Sequence, residues 1–411
     1  MDAQKSCRLC GSPDLEALWS LGETPLANAY RRPDELAQPV FQAPLDVQRC
    51  TYCELVQLKH TVSPEALFQD YLYVSSTSPR FVAHCTAYAA HLIERFRLTP
   101  RTLVIDVGSN DGILLKPLRA RGARVLGIEP ALRIAAMAQA DGIETIPAFL
   151  DVPLARALRA ARGPAAIVTA NNVFAHVPDL PGFVESVQVL LSENGVFVFE
   201  VQYLGDLLRD NLFDIIYHEH LCYYHLTPLV AYFASRGMDL FDVQRLPVHG
   251  GSLRVFVQRA GGPQARDERV TNLLAEERAA RLQESGTYQT FVTRVERNKE
   301  ALQDLLRHLR AEQKLIVGYG APAKATTLLA TFGIGAETLS YIVDDDAKMK
   351  QGRFMPGVPI PIVPPARLYE DRPDYCLILA WNFAEPIIEN HARYAAAGGR
   401  FIVPVPEPRL I

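Results

Sequence analysis

Two stretches of the chain concentrate side chains that can move protons or hold a metal. Residues 213–225 bring together Tyr217, His218, Glu219, His220, Tyr224 and His225. An imidazole with an unperturbed pKa near ~6.5 exchanges protons near neutral pH. A neighbouring carboxylate can orient the ring, and a phenol can donate to a developing oxyanion. His218 and His220 are two residues apart and would diverge on a helix, so they are not the helical His-Glu-x-x-His zinc signature. The chemistry they suggest is proton transfer, although the same crowding would suit a polar loop that merely caps a sheet. The second stretch is defined by cysteine spacing, Cys7-x-x-Cys10 and Cys50-x-x-Cys53. Two such knuckles bring four thiolates to one tetrahedral zinc at ~2.3 Å, a closed structural site with no position for substrate. Cys85, Cys222 and Cys376 are isolated and read as packing residues.

The elements that must position these groups begin with residues 102–129. An apolar run, Leu103-Val104-Ile105, ends in Asp106-x-Gly108-Ser-Asn110-Asp-Gly112, a helical pattern follows to Arg119, and a second strand closes on Glu129. Such a strand, glycine turn, helix, strand and acid lets a ligand lie against the backbone, and the acid can accept from both ribose hydroxyls. The spacing resembles the first motif of class I S-adenosylmethionine methyltransferases rather than the dinucleotide fingerprint, with Asp106, Gly108, Asn110, Gly112 and Glu129 as its cofactor contacts. Many of those enzymes carry an acid for the adenine amino group where this chain has Ala148, so that contact must come from elsewhere. The next strand, 166–170, opens into Asn171, Asn172 and His176, at the carboxyl edge where ligands bind in open α/β sheets. A helix over 180–191, a strand over 195–200 and two alternating strands over 240–247 and 252–258 complete the order of a class I sheet.

On either side the pattern changes. Ser63-Pro64-Glu65 starts a helix, Tyr71 and Tyr73 precede the polar run 75–78, and an amphipathic helix spans 81–96. The tyrosines suit either a domain seam or a substrate-facing loop. After Gly261-Gly262-Pro263 come one or two amphipathic helices over 268–309. A second strand, glycine turn and helix then runs from Lys314 to Leu329, with Gly318, Tyr319 and Gly320 at the turn and Lys324 in the first helical turns, a helix start that favours phosphate. Further strands are expected at 341–344, 374–380 and 400–404. The fold class is therefore α/β in three parts: a zinc-binding module over 1–66, a central Rossmann-like methyltransferase domain over 67–261 and a second Rossmann-like domain over 262–411. Length and composition agree: 411 residues, 49% hydrophobic and 21% charged, supply several cores. A net charge of −4 gives no cationic field for nucleic acid, and no apolar run approaches the ~20 residues that cross a bilayer. The first residues lack a signal-peptide core, so a cytoplasmic chain with reduced cysteines is expected.

Taken along its whole length the chain resembles the bacterial deoxysugar C-methyltransferases that act on nucleotide-linked 4-keto sugars, such as the C-3′-methyltransferases of antibiotic sugar pathways. The resemblance is carried by the four cysteines, Asp106 to Gly112, Tyr217-His-Glu-His220, His249-Gly-Gly-Ser252 and Gly318 to Lys324, in that order. It implies S-adenosylmethionine and structural zinc, His220 as catalytic base with Tyr217 and Glu219 beside it, and His176 as a further active-site residue. It also implies a nucleotide-linked sugar, dTDP before other nucleotides, held with the help of the C-terminal domain. The substrate contacts expected are Tyr71, Tyr73, Tyr224 and His249, together with Ser252, Arg254, Tyr319 and Lys324. Methylation is expected at the carbon next to the ketone, C3 before C5. A sugar O-methyltransferase using the same base, or a sugar-nucleotide binding protein without transfer activity, are the alternatives. A monomer without nucleic-acid or membrane partners is expected.

Overall fold

The computed structural model describes residues 2–68, 73–248, 250–347 and 349–411; Tyr71 and His249 lie outside them. Its centre is a seven-stranded sheet in the spatial order Met238–Leu246, Ser252–Arg259, Leu191–Gln202, Ala165–Asn171, Leu103–Val107, Arg124–Ile128, Thr145–Ile146. The last five of these run parallel, and Ser252–Arg259 is antiparallel to both of its neighbours. This is the order and the antiparallel exception expected of a class I methyltransferase sheet. The strands are β-branched and apolar because helices cover both faces; Val104, Ile105, Val168 and Phe199 are fully buried. One face is filled by packed rings, with Phe174 lying 4.9 Å from Phe199 and 5.3 Å from Tyr224 between centroids.

The helix Pro79–Phe96 packs on the other face. Ser78 caps its start by accepting from the Phe81 N–H, and Arg97 ends it in a left-handed conformation. Beyond Gly261 the chain returns to the central sheet before leaving it. The helix Glu268–Ala279 packs on Met238–Leu246, and its Glu277 accepts from the N–H groups of Leu226 and Thr227 at 2.6 and 3.0 Å, capping the helix Leu226–Ser235.

The 27-residue helix Ser285–Ala311 buries Tyr288, Phe291, Val295, Asn298, Leu302, Leu306 and Leu309, a three-four spacing that forms one continuous stripe. It leads to a six-stranded sheet ordered Ile362–Val363, Ile342–Val343, Ile316–Tyr319, Tyr375–Ile378, Arg400–Val403, Arg409–Leu410, parallel except for its last strand. This is the second Rossmann-like unit. The two terminal-edge strands, 362–363 and 409–410, carry too few residues to show a period in the sequence.

The N-terminal part is a four-stranded antiparallel sheet, ordered Cys222–Tyr223, Val56–Leu58, Gln42–Cys50, Leu15–Pro25. One of its strands comes from the histidine-rich stretch of the central region. Among the described residues no helix is long and apolar enough to cross a membrane.

Candidate active site

The carboxyl ends of the central strands open into a cavity of about 1590 Å³, whose walls come from all three parts of the chain. Single-ligand pockets hold roughly 300–1,000 Å³, so this one has room for two molecules side by side.

One half is the glycine turn. Gly108 and Gly112 have φ of +66° and +79°, in the left-handed region, and a side chain at Gly108 would bring its Cβ within 2.3 Å of Val173. The Gly108 N–H donates to the Ile128 carbonyl at 2.7 Å, locking the turn onto the second strand. Glu129, 5% exposed, accepts from the Asn110 N–H with one oxygen and from the Ala131 N–H with the other, both at 2.9 Å. Each carboxylate oxygen has a second lone pair, so two further hydroxyl donors can be received. Asp106 accepts from the Thr169 hydroxyl at 2.6 Å, and burial pushes its carboxyl up to about 7. Asn171 lines the same wall with a buried side-chain oxygen that has no partner. An acid with two spare acceptor positions and an orphaned amide oxygen fit the ribose and amino groups of S-adenosylmethionine. Asn110 lines the cavity and also ties down a neighbouring loop. Its side chain accepts from the Ser75 N–H at 2.9 Å and donates to the Tyr73 carbonyl at 3.0 Å, fastening the loop over the turn.

The other half is the histidine-rich stretch. His220, 6% exposed, lines the cavity, and its Nδ1 lies 2.6 Å from the Ile215 carbonyl. A carbonyl only accepts, so the proton sits on Nδ1 and the basic lone pair on Nε2. The ring is 4.0 Å from Tyr217 and 5.0 Å from His176 between centroids, and both of those residues line the cavity. Burial, reinforced by the Glu219 charge, raises the Tyr217 phenol well above its ordinary value, which keeps it a proton donor. Burial and the neighbouring His220 lower His176, which is therefore neutral, and its buried Nε2 has no partner. Glu219 is 3% exposed and sits behind this wall, where it accepts from Asn28 at 2.6 Å.

The third wall comes from the C-terminal unit. Lys324, in the first turn of the helix Ala323–Phe332, lies 3.6 Å over the Trp381 ring, and the Trp381 N–H donates to Asp214 at 2.6 Å. Burial lowers the Lys324 ammonium to about 8, opposed by the Asp214 charge. Asp344, Asp345, Asp346, Lys350 and Asn382 also line this wall.

Not every expected contact faces the cavity. Tyr224 is fully buried among the phenylalanines and donates to the Phe174 carbonyl at 3.1 Å. Arg254 pairs with Glu200 in the sheet interior, its Nε 2.8 Å from the carboxylate, and lies 3.5 Å over Tyr88. Ser252 is fully buried and donates to the Val248 carbonyl at 3.1 Å. Tyr319 is spent in a buried chain, donating to Asp345 at 3.0 Å with His391 at 2.7 Å from its oxygen. None of these four lines the cavity, because each side chain is buried and already engaged inside the protein. Tyr73, by contrast, is on the cavity wall. Asn28, Tyr30, Asp214 and Trp381 were not foreseen as contacts; Asp214 lies within the stretch 213–225 and Trp381 directly follows the strand expected at 374–380, whereas Asn28 and Tyr30 gave no signal.

Apart from the cavity, the sulfurs of Cys7, Cys10, Cys50 and Cys53 all lie within 4.8 Å of one another, with Cys7 and Cys53 3.5 Å apart and Cys10 and Cys50 3.6 Å apart. Four thiolates on tetrahedral zinc stand about 3.8 Å apart, so the set fits that ion.

Comparison with known proteins adds to this geometry. Residues 7–68 match the family described as "Putative zinc binding domain", residues 81–243 "Methyltransferase domain" and residues 247–406 "C-methyltransferase C-terminal domain". The C-methyltransferase NovU of Streptomyces niveus is 39% identical over 405 residues, covering 98% of this chain and 96% of that protein. A ubiquinone biosynthesis O-methyltransferase of Acinetobacter baumannii is 33% identical over 100 residues, 23% of this chain and 42% of that protein. Among solved structures, magnesium protoporphyrin IX methyltransferase from Synechocystis PCC 6803 with bound SAM is 16% identical, covers 44% of this chain and 79% of its own, and has a TM-score of 0.34.

Proposed function

This chain belongs to the C-methyltransferase family and is an S-adenosylmethionine-dependent C-methyltransferase with a structural zinc, and from that premise we propose that its acceptor is a nucleotide-linked 4-keto deoxysugar methylated at C3. The observation that carries the proposal is the state of His220. With Nδ1 tied to the Ile215 carbonyl at 2.6 Å, the imidazole keeps its basic lone pair on Nε2, on the ring that lines the cavity. A hydrogen on carbon next to a ketone is acidic enough for such a base, because the electrons left behind move onto the ketone oxygen.

Each neighbouring residue then has a task. His220 takes the C3 proton and becomes an imidazolium, which Glu219 stabilises. Tyr217, still protonated, donates to the enolate oxygen, with His176 and Asn172 as further donors. S-Adenosylmethionine, when bound, supplies an electrophilic methyl group. Glu129 holds the ribose side of that cofactor, and Lys324 with the N-terminus of its helix meets the diphosphate of the sugar nucleotide. No metal is needed at the reacting carbon.

The test is mass spectrometry of the products formed from a small panel of nucleotide 4-keto sugars, dTDP-linked ones included. A C-methylated product and exchange of the C3 hydrogen with solvent deuterium are expected. His220→Asn should lower turnover ~10²–10⁴-fold with both ligands still bound. A product methylated on oxygen, with no exchange at carbon, would replace this reading by O-methylation. Normal turnover in His220→Asn with none in His176→Asn would exchange the roles of the two histidines.

A further inference from the structure

The part of the chain that carries the four cysteines also reaches the reacting centre. The strand Leu15–Pro25 starts beside a metal ligand, Leu15 pairing with Cys50, and its far end delivers residues 27–30 into the seam between the other two parts. This segment is pinned on both sides. The Ala27 carbonyl accepts from the Thr326 hydroxyl at 2.9 Å, and the Tyr30 hydroxyl donates to the Ala321 carbonyl at 2.6 Å. Between these pins Asn28 stands on the cavity wall, and its Nδ2 donates to Glu219 Oε1 at 2.6 Å. The acceptor is a carboxylate, so the amide must present its NH₂ group there.

We propose that Asn28 is a positioning residue for the methyl transfer, holding the Glu219 carboxylate ionised and oriented in the active centre. This rests on the reading of Glu219 as the partner of the base. A carboxylate that is 3% exposed is disfavoured by desolvation and keeps its charge only if donors face it. Lysine or arginine would supply donors too, but would neutralise the charge that the imidazolium needs. A primary amide supplies a donor and no charge, so Glu219 keeps its negative charge for the step in which His220 gains a proton. The two pins restrict the backbone on either side of Asn28, which fixes the direction of that donor. The zinc-bearing part is thus a contributor to the active centre and not only a support.

The experiment uses the full, zinc-loaded chain with Asn28→Ala and Asn28→Asp. Carboxyl-labelled glutamate with ¹³C NMR, assigned by Glu219→Gln, reports the Glu219 titration without substrate. Its midpoint should rise in Asn28→Ala, and rise further in Asn28→Asp, where two adjacent carboxyls cannot both ionise. Turnover should fall about 10- to 100-fold, the value of one hydrogen bond to a charged group, and the acid limb of the kcat profile should move to higher pH. Zinc content and S-adenosylmethionine affinity should stay unchanged, which separates this loss from a folding defect. An unchanged Glu219 midpoint and an unchanged acid limb in both variants would overturn the proposal. A shifted midpoint in a chain whose unsubstituted form methylates no keto sugar would uphold the hold on Glu219 and sink the acceptor reading instead.

Discussion

In the proposed reading Lys324 meets a diphosphate as a cation, yet it lies buried against Trp381 with its ammonium lowered to about 8. The affinity for a nucleoside diphosphate should therefore fall as pH rises through about 8 in the unliganded protein. Calorimetry across that range should show the fall, and Lys324→Arg should abolish it, because guanidinium stays charged. Asp106 tests the other half of the cavity. Its carboxyl titrates near 7 in the folded protein but near ~3.9 when unfolded. Across that window the folded state keeps a proton the unfolded state has lost, so stability falls as pH rises, and the penalty is complete above the folded value. Asp106→Asn removes the penalty while keeping an acceptor for Thr169. Its melting temperature should exceed that of the unsubstituted protein at pH ~8 and converge with it near pH ~4; equal differences at both would show that Asp106 titrates normally. For Glu129, replacement by Ala should weaken S-adenosylmethionine by ~1–3 kcal/mol, the value of hydrogen bonds to a charged acceptor. Part of the loss would come from the turn itself, since the same carboxylate holds the Asn110 and Ala131 N–H groups.

At the level of elements, the glycine turn and the cysteine knuckles are the two devices whose geometry dictates residue type. Gly108→Ala would need a left-handed alanine whose Cβ meets Val173 at 2.3 Å, so cofactor binding should be lost while the sheet still forms. Circular dichroism and calorimetry together would check this. Elemental analysis should find about one zinc per chain, and Cys50→Ser should unfold the N-terminal sheet before it affects the cofactor turn. Both devices were legible in the sequence because their chemistry fixes local spacing. So were the parallel strands, whose β-branched runs reflect burial on both faces. What spacing does not encode is which way a side chain faces and what meets it from afar. Arg254 sits two residues from Ser252 in a motif that suggested substrate contact, but the register opposes it to Glu200 on the next strand, and the pair closes inward. Tyr224 shares the histidine-rich stretch and turns into the aromatic core. Asn28 lies in an unpatterned loop, and its partner is 191 residues away.

Over the whole molecule, the three parts share packing as well as a cavity. Phe213 stacks on Phe332 at 4.7 Å between centroids, and the Thr327 hydroxyl donates to the Ile216 carbonyl at 3.1 Å, so the C-terminal unit buttresses the approach to the histidine-rich stretch. Phe332→Ala should cost ~3–5 kcal/mol, and scanning calorimetry should show the main transition moving as a whole, without a separate early melt of the C-terminal unit. The strand Cys222–Tyr223 carries a different lesson, about how the molecule comes into being. It closes the edge of the N-terminal sheet against Val56–Leu58. During synthesis the four cysteines leave the ribosome before Cys222–Tyr223, so the sheet behind them keeps an open edge until the histidine-rich stretch has also been made. The metal-binding part is thus born unfinished, its sheet completed only by a strand of the central part. A chain that misfolds around its histidines also leaves that edge bare, and so offers the cell's proteases a flaw far from the fault that caused it.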